Sequence, residues 1–240
     1  MTDGIETSPA VAGTREPQRA EAEPARRPLT RERILHVGLR LIDQQRLEAF
    51  TMRKLAQELG VDPMSIYRHF ENKDALLDGV ADMLWGEVEL PGRETGWEAL
   101  LRSIATSLRA LAHAHPHAYA LLCNNQIMPL AMLRLCDVTL EQLQRAGFEQ
   151  KRALEILCTV SSYAIGYAMV ELSTLLPEQP ERVAEEMTDI ERFTQVMRRL
   201  PRETPARLVE VACVLTDCDM DAQFTFGLDL MLTSLKAKQE

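Results

Sequence analysis

The 240-residue chain is poor in aromatics, at 5%, and holds no Cys-x-x-Cys pair, no glycine-rich phosphate loop and no uninterrupted apolar run of membrane-spanning length. Each absence excludes a class. Five cysteines, Cys123, Cys136, Cys158, Cys213 and Cys218, are odd in number and fall mostly in apolar helical patterns, so they are expected to be reduced, buried thiols. No nucleophile and base, metal cluster or phosphate loop stands at convincing spacing, so the chain is expected not to be an enzyme and to need no cofactor. Even "YAIGYAMVELSTLL" is interrupted by Glu171 and Ser173, which predicts no membrane span and a cytoplasmic protein. Residues 1–28, rich in Pro, Ala, Glu and Arg and without an apolar signal-peptide core, are predicted to be a disordered tail. Strand-like alternation flanking Asn-Gly or Asp-Gly turns is missing too, and the fold class that remains is all-α.

What is present is enough for a real core, with 46% hydrophobic residues, and a charge distribution that the net −9 conceals. Residues 26–73 carry ten Lys and Arg against six Asp and Glu, a net of +4, whereas residues 74–240 carry −10. A small basic module on an acidic body confines a phosphate-attracting field to one end.

Within that module the spacing predicts four helices. Thr30 caps the first, which fades near Gln45; Thr51 caps the second, with Leu55 and Leu59 on one face, and Gly60 ends it. Asp62 and Pro63 open a third helix within two residues of that turn, and Asn72 caps a fourth. Ala56, Leu55 with Leu59, Gly60, and Val61 with Ile66 supply the small contact residue, flanking apolar residues, turn glycine and apolar anchors that a helix-turn-helix needs. With Ile66 and Phe70 facing inward, the third helix displays Pro63, Met64, Ser65, Tyr67 and Arg68, as a recognition helix in a DNA major groove does.

The run "LGVDPMSIYRHFENKDALL", with its Gly-Val turn, Ser-x-Tyr-x-His-Phe sequence and following Asn-Lys, resembles the DNA-binding domain of the TetR family of bacterial transcriptional regulators. The strong resemblance covers about residues 30–85. It implies Arg53, Pro63, Met64, Ser65 and Arg68 near bases, and Thr51, Tyr67, His69 and Lys73 near phosphates. Arg53 is also a natural bidentate partner for guanine, and Thr51 is in any case an N-cap. The implied layout is a disordered tail to residue 28, a three-helix DNA-binding domain over residues 29–75, and a larger helical ligand-binding and dimerisation domain over residues 76–240.

In that larger part, helices are expected near Trp97–His115, Ala118–Cys123, Ala131–Ala146, Gln150–Leu175, Val183–Leu200 and Met220–Lys236. "YAIGYAMVELS" and "FTFGLDLMLTSL" resemble the two long helices of the family's dimeric four-helix bundle, which implies contacts near Gly166, Gly227, Leu228 and Leu232. Material for a small-molecule pocket is Met83, Tyr119, Cys123, Met128, Met132, Cys158, Tyr163, Tyr167 and Met169, although such residues at helical spacing also make ordinary core. "HAHPH" offers His113, His115 and His117, but residues two apart diverge on a helix and Pro116 breaks it, so imidazoles near carbonyls at a helix end are expected rather than a metal site. The family's magnesium-chelate ligands find no match here. The resemblance therefore implies a homodimeric regulator, expected to be a repressor, that binds a double-stranded operator and is released by a small-molecule effector. A helical protein-interaction adaptor is the alternative; it would not require the basic module.

Overall fold

The computed structural model describes residues 28–92, 95–123, 128–175, 207 and 219–236, and all regular structure among them is helical. The elements are α1 (Arg31–Gln45), α2 (Met52–Leu59), α3 (Pro63–Tyr67), α4 (Lys73–Gly86), α5 (Trp97–Ala114), a 3₁₀ turn (Tyr119–Leu122), α6 (Leu130–Arg145), α7 (Gln150–Leu175) and α8 (Met220–Lys236). The helix expected over 183–200, Cys213, Cys218 and the 1–27 tail lie outside the described residues.

Local chemistry sets the boundaries of the N-terminal module. The Thr30, Thr51, Asp62 and Asn72 side chains accept from the amides of Arg33, Lys54, Met64 and Ala75, so each satisfies an N–H that its helix leaves unpaired, worth about 1 kcal/mol apiece. Gly60 stops α2 at φ 67 and ψ 35, a left-handed conformation that a side chain resists. Ile34, Ile42, Phe50, Leu55, Ile66 and Phe70 then close a core beneath α1–α3. Burying Ile66 and Phe70 contributes roughly 2 kcal/mol each, which is what holds so short a helix as α3 in place.

Helix α4 packs on α1 and also on the 3₁₀ turn and α6, so it belongs to both parts of the molecule. Asp82 of α4 accepts from the amide of Ala131, pinning the start of α6. In the body α5 lies against α7, and α6 and α8 flank them. Contrary to expectation, α7 is long and apolar enough by composition to cross a membrane. It packs against α5, α6 and α8, and its buried Glu171 is ion-paired with Arg109.

Tyr163 and Tyr167, expected to line a pocket, are packing residues that join α7 to α8. Their hydroxyls donate to the carbonyls of Phe224 at 2.8 Å and Met220 at 2.9 Å, and both rings lie against Phe224. Tyr163 lies over Gly227, where any Cβ would meet its hydroxyl, so Gly227 marks a close helix contact within the chain. Leu228 and Leu232, assigned to a subunit interface, are 1% and 3% exposed and face the core of their own chain. That placement is corrected: the exposed apolar side chains on α8 are Phe226 and Leu230. The expectation of buried thiols fails as well, since Cys123 and Cys158 are exposed and Cys136 is half-buried.

Candidate nucleic-acid interface

The residues expected to meet DNA lie on or beside α2, α3 and the start of α4, and most of them are exposed. Thr51 and Arg53 at the start of α2, and Met64, Tyr67 and Arg68 on or next to α3, are exposed, while Pro63, Ser65 and His69 are half-buried. Met64 is 66% exposed at the N-terminal end of α3. Asp62 and Pro63 fix its presentation, the first by accepting from Met64 N at 2.8 Å and the second by its pre-set φ.

The cations of this face divide into two sets. Arg31, Lys54 and Lys73 are tied down by backbone carbonyls. Arg31 donates to His69 O at 3.0 Å with its guanidinium over the Phe70 ring, and Lys54 donates to Ala49 O at 2.9 Å. Lys73, half-buried, donates to Phe50 O at 2.9 Å with its ammonium near the Phe50 ring. Arg40 pairs with Glu58. Arg53 and Arg68 enter no ion pair among the described residues, so their five-donor forks remain open to an incoming anion or base edge. The structure gives Lys73 a bond to the Phe50 carbonyl that sequence spacing did not reveal.

The nine candidate effector residues stand apart from the cavities found among the described residues. Three surface cavities are lined without any of the nine. One of about 340 Å³ between α7 and α8 is lined by Arg152, Ile156, Val160, Leu230 and Leu235 among others; one of about 310 Å³ borders α5 beside Glu87 and Glu89; one of about 210 Å³ lies between the start of α5 and the end of α6. Met128 and Met169 are exposed, Met83 and Met132 half-buried. Tyr119 differs. It is fully buried on the 3₁₀ turn, its hydroxyl has no hydrogen-bond partner among the described residues, and burial pushes its pKa up. Trp85 on α4, against which that turn packs, has a buried indole N–H in the same condition, a donor that sequence reading passed over. Native interiors rarely leave such groups unpaired without a reason.

The histidine run also differs from expectation, because its partners are carboxylates and not helix-end carbonyls. His113 Nε2 stands 3.3 Å from Glu171 Oε2, while His115 stands between Asp43 and Glu87. Among the described residues no group of His, Cys, Asp and Glu has the arrangement of a metal site.

Comparison with known proteins adds to this geometry. A family model described as bacterial regulatory proteins, tetR family, matches residues 34–80, and one described as tetracyclin repressor-like, C-terminal domain, matches residues 90–239. The chain is 27% identical over 212 residues to the class C tetracycline repressor protein of Escherichia coli, covering 87% of this chain and 91% of that protein. It is 27% identical over 214 residues to the HTH-type transcriptional repressor DrrR1 of Streptomyces coeruleorubidus, covering 87% and 77%. The crystal structure of the Streptomyces coelicolor protein ActR in complex with actinorhodin superposes with a TM-score of 0.70 at 28% identity, covering 88% of this chain and 99% of that one.

Proposed function

The chain belongs to the TetR family of bacterial regulatory proteins, and from that premise we propose that it is a dimeric operator-binding regulator, a repressor, from which a small molecule releases the DNA. The observation that carries the reading is the exposed face of α2 and α3, where Arg53, Met64, Tyr67 and Arg68 stand outward on a helix pair whose inward face is fully packed. A helix so presented enters a major groove, with Arg53 and Arg68 reaching bases or phosphates and Thr51, Tyr67 and Lys73 fixing register on the backbone. Lys73 keeps two N–H donors beyond its bond to Phe50 O. The soluble regulator so described acts in the cytoplasm and carries out no catalysis.

One short recognition helix reads too few base pairs, so the unit is a two-fold dimer. The face we assign to it is the exposed apolar set Leu154, Met169 and Val170 on α7 and Phe226 and Leu230 on α8, with Leu230 lining the α7–α8 groove. Gly166 lies on α7 with open space around it, room for a partner helix to approach closely. For the effector site we favour the neighbourhood of the contact between α4 and the 3₁₀ turn, where the Trp85 N–H and the Tyr119 hydroxyl are buried without a partner among the described residues.

The test is titration of the protein into a random-sequence pool of duplex DNA. Selective enrichment of near-palindromic fragments, weakened as salt rises, is the expected result. Enrichment of nothing over bulk DNA would reject the reading.

A further inference from the structure

The cavity of about 210 Å³ between the start of α5 and the end of α6 is lined by Thr95, Gly96, Trp97, Gln142, Arg145 and Ala146. None of these described residues is acidic and one is a cation, so the site suits an anion and not a metal. Three kinds of N–H donor border it. The first is the start of the 18-residue α5, where Gly96 has no side chain with which to cap the helix. Among the described residues no acceptor meets the amides of Trp97, Glu98 and Ala99, which carry the positive end of the helix dipole.

The second donor is Gln142, a polar side chain only 7% exposed, whose Nε2 is buried and has no partner among the described residues. A carboxamide shut away with its N–H groups unpaired costs free energy that an acceptor in the cavity recovers. The terminal torsion of a glutamine is soft, so this lining residue can turn those N–H groups to an acceptor seated beside it. The third is Arg145. Its Nη2 holds Glu141 at 2.6 Å in an exposed pair one helical turn away, which is weak and leaves other donors of the guanidinium open.

The walls are fixed without a ligand. The Trp97 ring meets Phe148 edge-on with centroids 5.2 Å apart, Phe148 N donates to Leu143 O at 3.1 Å, and Thr95 N donates to Gly92 O at 3.0 Å. Glu98, the acid in the first turn of α5, is bound to Lys236 on α8 at 2.6 Å and does not line the cavity.

We propose that this cavity is a binding site for a small oxyanion, seated on the first-turn amides of α5 with Gln142 and Arg145 donating from α6. It is distinct from the neighbourhood of Tyr119, which follows the opposite end of α5, a helix about 27 Å long.

The experiment measures thermal melts and calorimetric titrations of the full chain with inorganic phosphate and with acetate, each against chloride at constant ionic strength, for wild type, G96D and Q142M. Gly96 has φ −63 and ψ 155, which any residue adopts, and open space where a Cβ would stand. An aspartate there sets its own carboxylate on the first-turn amides and fills the anion's seat. Methionine at 142 keeps the volume and removes the N–H donors. Wild type is expected to melt higher as phosphate or acetate rises, with saturation. G96D is expected to melt higher than wild type in chloride and to respond to neither anion. Q142M is expected to fold and to bind roughly tenfold or more weakly, and it keeps the test decisive if G96D does not fold by circular dichroism. A response to phosphate alone assigns a phosphoryl group, and one to acetate alone a carboxylate. The cations of the DNA-binding module also attract phosphate, but that contribution survives in both variants. Equal responses of wild type, G96D and Q142M therefore place the anion elsewhere and overturn the site, as does a wild type that answers neither anion beyond chloride.

Discussion

Arg109 binds Glu171 through two parallel hydrogen bonds, Nε to Oε2 at 2.8 Å and Nη2 to Oε1 at 2.6 Å, and this pair locks α5 to α7 where both side chains are largely out of water. Its third arm reaches Asp221 at the start of α8, and the guanidinium stands over the Phe224 ring at 5.1 Å. Removing one member of a buried pair leaves the other uncompensated, so Arg109→Met should cost about 3 kcal/mol of stability in urea unfolding. Asp221→Asn, at an exposed position, should cost about 1 kcal/mol or less. Equal losses would show that the α5–α7 pair is not the anchor.

The same pair predicts acid sensitivity. The hydrogen bonds from Arg109, outweighing burial, hold the Glu171 carboxyl below its ordinary range. A depressed folded-state pKa means stability that is present above the unfolded value and is lost as pH falls through the folded one. Wild type should therefore lose more stability than Glu171→Gln on going from neutral pH into the acid range below the usual carboxylate value. Parallel pH profiles in thermal melts would contradict this.

At the DNA face, Arg53→Ala should cost about 1–3 kcal/mol on the selected operator and relax preference at one base position, because a bidentate base contact is lost. Lys73→Ala should instead weaken all duplexes alike and lower the salt slope by about one unit, the mark of a phosphate contact. It should also lower the melting temperature, since it removes the bond to Phe50 O. Filter binding over a salt series separates the two; an unchanged slope for Lys73→Ala would confine that residue to a structural role.

Two leucines and their neighbours on α8 divide core from interface. Phe226→Glu with Leu230→Glu should give folded monomers with weakened operator binding, because those side chains are exposed in the single chain. Leu228→Glu should unfold the protein, because it buries an unpaired charge. Sedimentation and circular dichroism read both; a dimeric Phe226→Glu, Leu230→Glu double variant would remove this face from the dimer.

The N-terminal module was legible because its determinants are local. Thr30, Thr51, Asp62, Asn72 and Gly60 each act within four residues of themselves, so spacing alone marks where the helices begin and end. The described spans of α7 and α8 coincide with those expected from helical periodicity. Which side of them faces inward was not legible. Both helices carry apolar residues on more than one side, so Leu228 and Phe226 read alike in sequence and only packing against α5 and α7 tells core from free surface. Tyr163 and Tyr167 looked like pocket lining because nothing in α7 announces that α8 offers carbonyls at Phe224 and Met220. The partners of His115 lie 72 and 28 residues away, beyond the reach of any motif.

The central claim is that two copies of the face bearing Arg53 and Arg68 read one duplex. Its most direct test is the stoichiometry and salt dependence of binding to the selected operator, measured by analytical ultracentrifugation with a labelled duplex over a salt series. The account predicts two chains per duplex, half-sites one helical turn or a multiple of about 34–36 Å apart, and an affinity that falls linearly on a log–log plot as salt rises. One chain per duplex, or binding indifferent to salt, would contradict it.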